Sequence, residues 1–230
     1  MKVIKHVGIA AMTVWAALLS VPVPSASAQP CPDVEVIFAR GTAEPPGVGG
    51  IGQAFVDSVR SQAGGRSVGV YPVNYPASSD FADPLAFAGT VVDGIRDAGA
   101  HIESMAANCP KTRMVLGGYS QGAAVAGFVT SAAVPPGVPV ELVPAPMPPE
   151  VADHVAAVAL FGKPSDAWMQ QYGAPPIVIG PSYAAKTIEL CDPGDTICNG
   201  APGGLPSVAH ALYPVNGMVG EAATFAAGRL

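Results

Sequence analysis

Gly118-Tyr119-Ser120-Gln121-Gly122 sets a serine between two glycines, with the apolar run Met114-Val115-Leu116 before it and Ala123-Ala124-Val125-Ala126 after it. A strand turning sharply into a helix lifts such a serine above a sheet. Side chains at the two glycine positions would collide in so tight a turn, and the nucleophile itself sits in strained backbone. The helix also aims the positive end of its dipole at the serine, where negative charge develops during acyl transfer. Gly65-Arg66-Ser67-Val68-Gly69 has the same spacing. There, however, Ser67 precedes an apolar run instead of following one, which makes it a loop residue.

A nucleophilic serine needs a histidine to take its proton and an acid to orient that histidine. His154 and His210 follow Ser120 in the chain. His154 would have to use its immediate neighbour Asp153, which cannot reach the far ring nitrogen. His210 has Asp166, Asp192 and Asp195 upstream. Asp195 is preferred because it lies between Cys191 and Cys198, where a disulfide would fix its carboxylate. Asp192, followed by Pro193, reads as the start of a turn. Gln121, next after the nucleophile, offers a backbone N–H to an oxyanion, and Arg40-Gly41-Thr42 is the candidate loop for a second donor. The Thr42 hydroxyl could add to it. A histidine base further predicts activity that falls on acidification. His101 and His154 are expected to face solvent.

Several elements must position these groups. Val34–Arg40 reads as a strand and Ile51 to about Gln62 as an amphipathic helix, with apolar residues at 51, 55, 56 and 59. Val68 to Tyr75 is a second strand, and Pro72 within it suggests a twisted or edge position. Asp83-Pro84 is a good helix start. Ala88, Val91, Val92, Ile95, Ile102 and Met105 mark one apolar face of that helix, which ends before Cys109-Pro110. Val155–Phe161 is a continuous apolar run, as a strand buried on both faces requires. Ile177-Val178-Ile179 and Thr187–Leu190 are shorter strand candidates, and a last helix is expected from about Val215 to Ala227. The proline-dense stretch Val134–Glu150 cannot be a helix and reads as an ordered surface loop or polyproline II segment, either a connection or a flap beside a cleft. Strands alternating with helices imply a single α/β domain on a mostly parallel sheet.

The ends and the composition bound the rest. Residues 1–28 read as a signal peptide: Lys2 and Lys5, an apolar run from Val7 to about Val23, then small residues up to a cut near Ala28. Thr13, Ser20, Pro22 and Pro24 interrupt that run and no stop-transfer charges follow, so no integral membrane segment is expected in the mature form. Residues 29–230, roughly 200 residues, suffice for one domain. With a net charge of −6, only 12% charged residues and no basic cluster, nucleic acid has nothing to bind. The acidic balance also argues against attachment to anionic membranes. Cys31, Cys109, Cys191 and Cys198 all follow the signal segment, an even count that suggests two disulfides in an exported chain. Of three possible pairings Cys191–Cys198 is preferred, leaving Cys31–Cys109. The cysteine spacing fits no zinc pattern, so no metal is expected, and no cofactor is implied.

Ala39-Arg40-Gly41-Thr42, Gly117-Gly118-Tyr119-Ser120-Gln121-Gly122, Cys191-Asp192-Pro193-Gly194-Asp195-Thr196-Ile197-Cys198 and His210 together resemble the cutinase family, in its secreted bacterial branch. The resemblance spans nearly the whole chain after the signal segment. It implies a compact α/β-hydrolase without a helical lid, a Ser120–Asp195–His210 triad, an oxyanion hole from Thr42 and Gln121, and both disulfides as paired above. It also implies a secreted esterase, free or associated with the cell wall, acting on short- to medium-chain acyl esters, lipids or polyesters. A monomer is expected. The alternatives are a lipase, phospholipase or acyltransferase on the same triad, or a non-catalytic binding protein on a hydrolase scaffold. Fungal members carry serine where this chain has Thr42, and the proline-rich stretch departs from their pattern.

Overall fold

All six residues of β1 (Val34–Ala39) and all seven of β4 (Val155–Phe161) are buried. β4 is apolar throughout and β1 at every position but Glu35, and strands buried in this way need cover on both faces. With β2 (Val68–Pro72), β3 (Arg113–Tyr119) and β5 (Thr187–Leu190) they form a sheet in the order β2-β1-β3-β4-β5, every pair parallel. This computed structural model describes residues 30–201 and 205–230. The signal peptide expected at 1–28 lies outside them.

Alternate residues of each strand feed two apolar layers. Ile37, Leu116, Val158 and Leu160 pack against Ile102 of α2 (Pro84–Asn108) and Val125 and Ala126 of α3 (Gln121–Val129). On the other face Val36, Phe38, Val115 and Phe161 pack against Phe55 and Val59 of α1 (Gly49–Gln62) and Ala222 of α6 (Met218–Ala227). Phe38, Phe55 and Phe161 meet there at centroid distances of 5.4–6.2 Å, geometry favoured by ring quadrupoles. Two short helices, α4 (Asp166–Gln171) and α5 (Pro181–Ala184), complete the set. α2 starts as its sequence requires: the Asp83 carboxylate accepts the Ala86 N–H at 3.0 Å, and Pro84 occupies the first turn. Among the described residues no helix is long and apolar enough to cross a membrane.

Five sequence expectations change. Ile177-Val178-Ile179 is not a strand: Ser131 Oγ donates to the Val178 carbonyl (2.7 Å) and Gly180 N–H to the Thr130 carbonyl (2.9 Å), holding the segment along the end of α3. Apolar periodicity alone does not distinguish such a segment from a strand. The last helix begins at Met218, not Val215, because Gly217 takes a left-handed φ of 91° and the Asn216 side chain accepts the Met218 N–H. β2 stops at Pro72, short of Tyr75. The proline-rich stretch is irregular to Pro148, and its last residues enter a 3-10 turn, Pro149–His154, with proline where no N–H is needed. His101 does not face solvent: its Nε2 lies 2.9 Å from Glu35 Oε2, and its ring stacks on Tyr71.

The cysteines pair as Cys31–Cys109 and Cys191–Cys198, with Cα separations of 5.6 and 5.7 Å. The first ties the chain ahead of β1 to the residue that ends α2. In the chain-entropy account, closing spans of 78 and 7 residues contributes about 4.5 and about 2.4 kcal/mol respectively. Cys31→Ala/Cys109→Ala should therefore lower the urea midpoint more than Cys191→Ala/Cys198→Ala, as followed by circular dichroism. Equal losses, or the reverse order, would contradict this ranking.

Candidate active site

β3 runs straight into α3, and Ser120 sits at the corner with φ 54° and ψ −115°. A non-glycine residue in that region stores strain of order 1–3 kcal/mol. The flanking glycines make the corner possible. A Cβ on Gly118 would stand 2.1 Å from the Gly122 carbonyl oxygen, and one on Gly122 would stand 2.0 Å from that of Ala39. No backbone shift short of remaking the turn accommodates either.

Two further segments reach Ser120 from beyond β5. His210 rides on a 3-10 turn, Val208–Ala211, and its Nε2 lies 2.9 Å from Ser120 Oγ. Its Nδ1 lies 2.8 Å from Asp195 Oδ2. Asp195 is fully buried within the Cys191–Cys198 loop, and its Oδ1 accepts the Ile197 N–H at 2.9 Å. The other candidate acids lie elsewhere. Asp166 opens α4 in an exposed position, while Asp192 accepts the Gly194 N–H and an Asn216 amide N–H, the turn role read from its sequence. His154 closes the 3-10 turn ahead of β4. Ser67 accepts the Asp33 N–H and donates to the Asp33 carboxylate, a loop residue as expected.

Burial by itself would push the Asp195 carboxyl up. Hydrogen bonds from His210, Tyr213 and the Ile197 N–H outweigh that effect and hold it below its ordinary value. Tyr213 escaped sequence reading. Its ring is fully buried, and its hydroxyl donates to Asp195 Oδ2 at 2.6 Å while accepting the Asp192 N–H at 3.3 Å. Burial, then the bond to Asp195, raises its own phenol pKa, so it stays a neutral donor. The only sequence signal was an aromatic three residues after His210. Tyr119 was missed as well: its hydroxyl donates to the His210 carbonyl at 2.8 Å, tying the corner to the histidine turn.

Thr42 and Gln121 line the same cleft as Ser120 and His210. The Thr42 loop is braced by groups that motif matching does not weigh. The Glu44 carboxylate accepts the N–H groups of Gly41 (2.6 Å) and Gly50 (2.8 Å), and buried Arg40 donates to the carbonyls of Glu44 and Tyr75. The Gln121 side chain donates to the Ser78 carbonyl at 3.1 Å, fastening the corner to the stretch between β2 and α2. From the proline-rich stretch Val134, Pro135 and Met147 line the cleft, together with residues of α2. Apolar walls with a few convergent polar groups at one end suit an ester, whose carbonyl needs the polar end alone.

Residues 30–230 match the family model described as Cutinase. The chain is 67% identical over 170 residues to the "probable carboxylesterase Culp7" of Mycobacterium tuberculosis, covering 74% of this chain and 89% of that one. With the carboxylesterase Culp1 of the same organism identity is 48% over 231 residues, 99% of this chain and 95% of the other. Among solved structures, Trichoderma reesei cutinase in complex with a C11Y4 phosphonate inhibitor is 34% identical, with a TM-score of 0.62 over 86% of this chain and 77% of that one.

Ionised Asp195 links stability to pH. Because its folded pKa is lowered, its contribution is present above the unfolded value near 3.9 and is lost as pH falls through the folded value. Tyr213→Phe removes one donor that lowers it. The variant should therefore unfold at a higher pH than the parent on acid titration, followed by far-UV circular dichroism. Coincident titrations would show that the hydroxyl does not stabilise the ionised acid.

Proposed function

The chain belongs to the cutinase family and is a carboxylic ester hydrolase, and from that premise we propose that it works through an acyl-enzyme on Ser120. The observation that carries the reading is the continuous path from Ser120 Oγ to His210 Nε2 (2.9 Å) and from His210 Nδ1 to Asp195 Oδ2 (2.8 Å), on a strained corner. Ser120 Oγ attacks the ester carbonyl as His210 Nε2 takes its proton. Asp195, accepting from Nδ1, fixes the tautomer and stabilises the imidazolium. Negative charge on the former carbonyl oxygen is met by the Gln121 N–H and by Thr42, at the positive end of α3. Collapse expels the alcohol, which takes the proton from His210. Water then attacks the acyl-enzyme by the same route and releases the acid.

We further propose that the protein is exported, with its signal segment removed near Ala28, and acts outside the cytoplasm, free or at the cell wall. Two disulfides and the basic-then-apolar N-terminal pattern support this.

Turnover of p-nitrophenyl butyrate should fall by on the order of 10⁴-fold or more in Ser120→Ala and in His210→Ala. A phosphonate ester should label the wild type once, on Ser120, as read by peptide mass spectrometry. Equal turnover in wild type and Ser120→Ala would instead point to a non-catalytic protein on a hydrolase scaffold.

A further inference from the structure

The cleft at Ser120 extends well past the reacting atoms. It encloses about 1080 Å³ and continues between α2 and the proline-rich segment, from Thr42 and Ser120 to Ala100 and Glu103. That is just above the range of roughly 300–1,000 Å³ that holds a drug-sized ligand. The part of α2 that lines it runs from Pro84 to Glu103, and its apolar portion ahead of Arg96, Pro84 to Ile95, measures roughly 17 Å at about 1.5 Å per residue. With C–C bonds of about 1.5 Å, an extended alkyl chain advances roughly 1.25 Å per carbon, so a butyryl group fills only about 5 Å of that length.

The walls suit hydrocarbon. Past its Asp83-capped first turn the N–H groups of α2 are spent within its own helix, and Pro135, Pro144 and Pro146, which also line the cleft, have none to offer. The apolar positions of α2 divide accordingly. Ile102 is fully buried in the core, whereas Ala88 and Val92 turn to the cleft, and Leu85 at its mouth is 86% exposed. A soluble protein rarely leaves a continuous apolar face of this extent to water without a use for it. Arg96, paired with Asp93, and Glu103 end the apolar stretch at its far side.

Topology says which half of an ester lies there. His210 gives its proton to the leaving alcohol, so the alcohol must lie beside the Val208–Ala211 turn, which follows edge strand β5. α2 joins the opposite edge strand, β2, to the central β3. An acyl chain pointing away from His210 therefore runs toward α2.

We infer that the groove between α2 and residues 134–148 is an acyl subsite for long, unbranched chains of about twelve or more carbons. This rests on the acyl-enzyme reading above and extends it beyond short- and medium-chain acids. For 4-methylumbelliferyl esters kept below aggregation, kcat/KM should rise at least tenfold from C4 to C12. Val92→Trp and Val138→Trp, each set in the groove wall, should lower the C12:C4 ratio at least tenfold. The inactive Ser120→Ala protein should bind the fluorescent C18 acid cis-parinarate, and palmitate but not butyrate should displace it. Butyl palmitate should be cleaved in preference to hexadecyl butyrate. A maximum at C4, a ratio that neither tryptophan changes, no parinarate binding, or preference for the long alcohol would each overturn the subsite. Butyrate ester turnover that survives Ser120→Ala would overturn the acyl-enzyme reading instead.

Discussion

A carboxylate with no solvent access governs the layout of this molecule. Stripping an ion of water costs several kcal/mol even after relaxation, and Asp195 is fully buried. It is tolerated because three donors converge on it: the His210 ring, the Tyr213 hydroxyl and the Ile197 N–H. Each comes from a separate constraint, namely a 3-10 turn, the chain just past it and a disulfide-closed loop. The end of β4 has to leave room for them. A Cβ on Gly162 would stand 2.9 Å from Asp195 Oδ2 and 3.1 Å from both His210 Cε1 and the Tyr213 hydroxyl. The two 3.1 Å contacts are tight; the 2.9 Å one would force the fixed carboxylate to move.

The other partner of this arrangement is the rigidity of the central strands. β1, β3 and β4 are covered on both faces, and α3 is buried almost all round. Strain at Ser120 persists because so many packed neighbours would have to move to release it. The acid and base approach on irregular backbone, where a disulfide and a buried phenol supply the definition that sheet hydrogen bonds supply elsewhere.

Much of this was legible in the sequence because it rests on local sterics. The glycines around Ser120, the Asp83-Pro84 helix start and the unbroken apolar β4 each dictate their structure within a few residues. Asp195 was preferred over Asp192 and Asp166 from its place between two cysteines, again a local cue. What stayed hidden depends on partners distant in the chain. Tyr213 and Tyr119 act through hydroxyls whose acceptors lie 18 and 91 residues away. Ile177–Ile179 carries a strand's pattern but meets the end of α3 instead of a strand. The sequence marks one apolar face on α2, but periodicity shows which side of a helix is apolar, not whether anything covers its full length.

The bond from the Tyr119 hydroxyl to the His210 carbonyl has a mechanical meaning. The residue adjoining the proposed nucleophile also anchors the main chain of the proposed base. When thermal motion tilts the end of β3, the serine and the histidine turn are carried in the same direction, and their separation changes less than the position of either. The corner thus acts as a common mount, turning separate displacements into a joint one and so holding the hydroxyl-to-imidazole spacing.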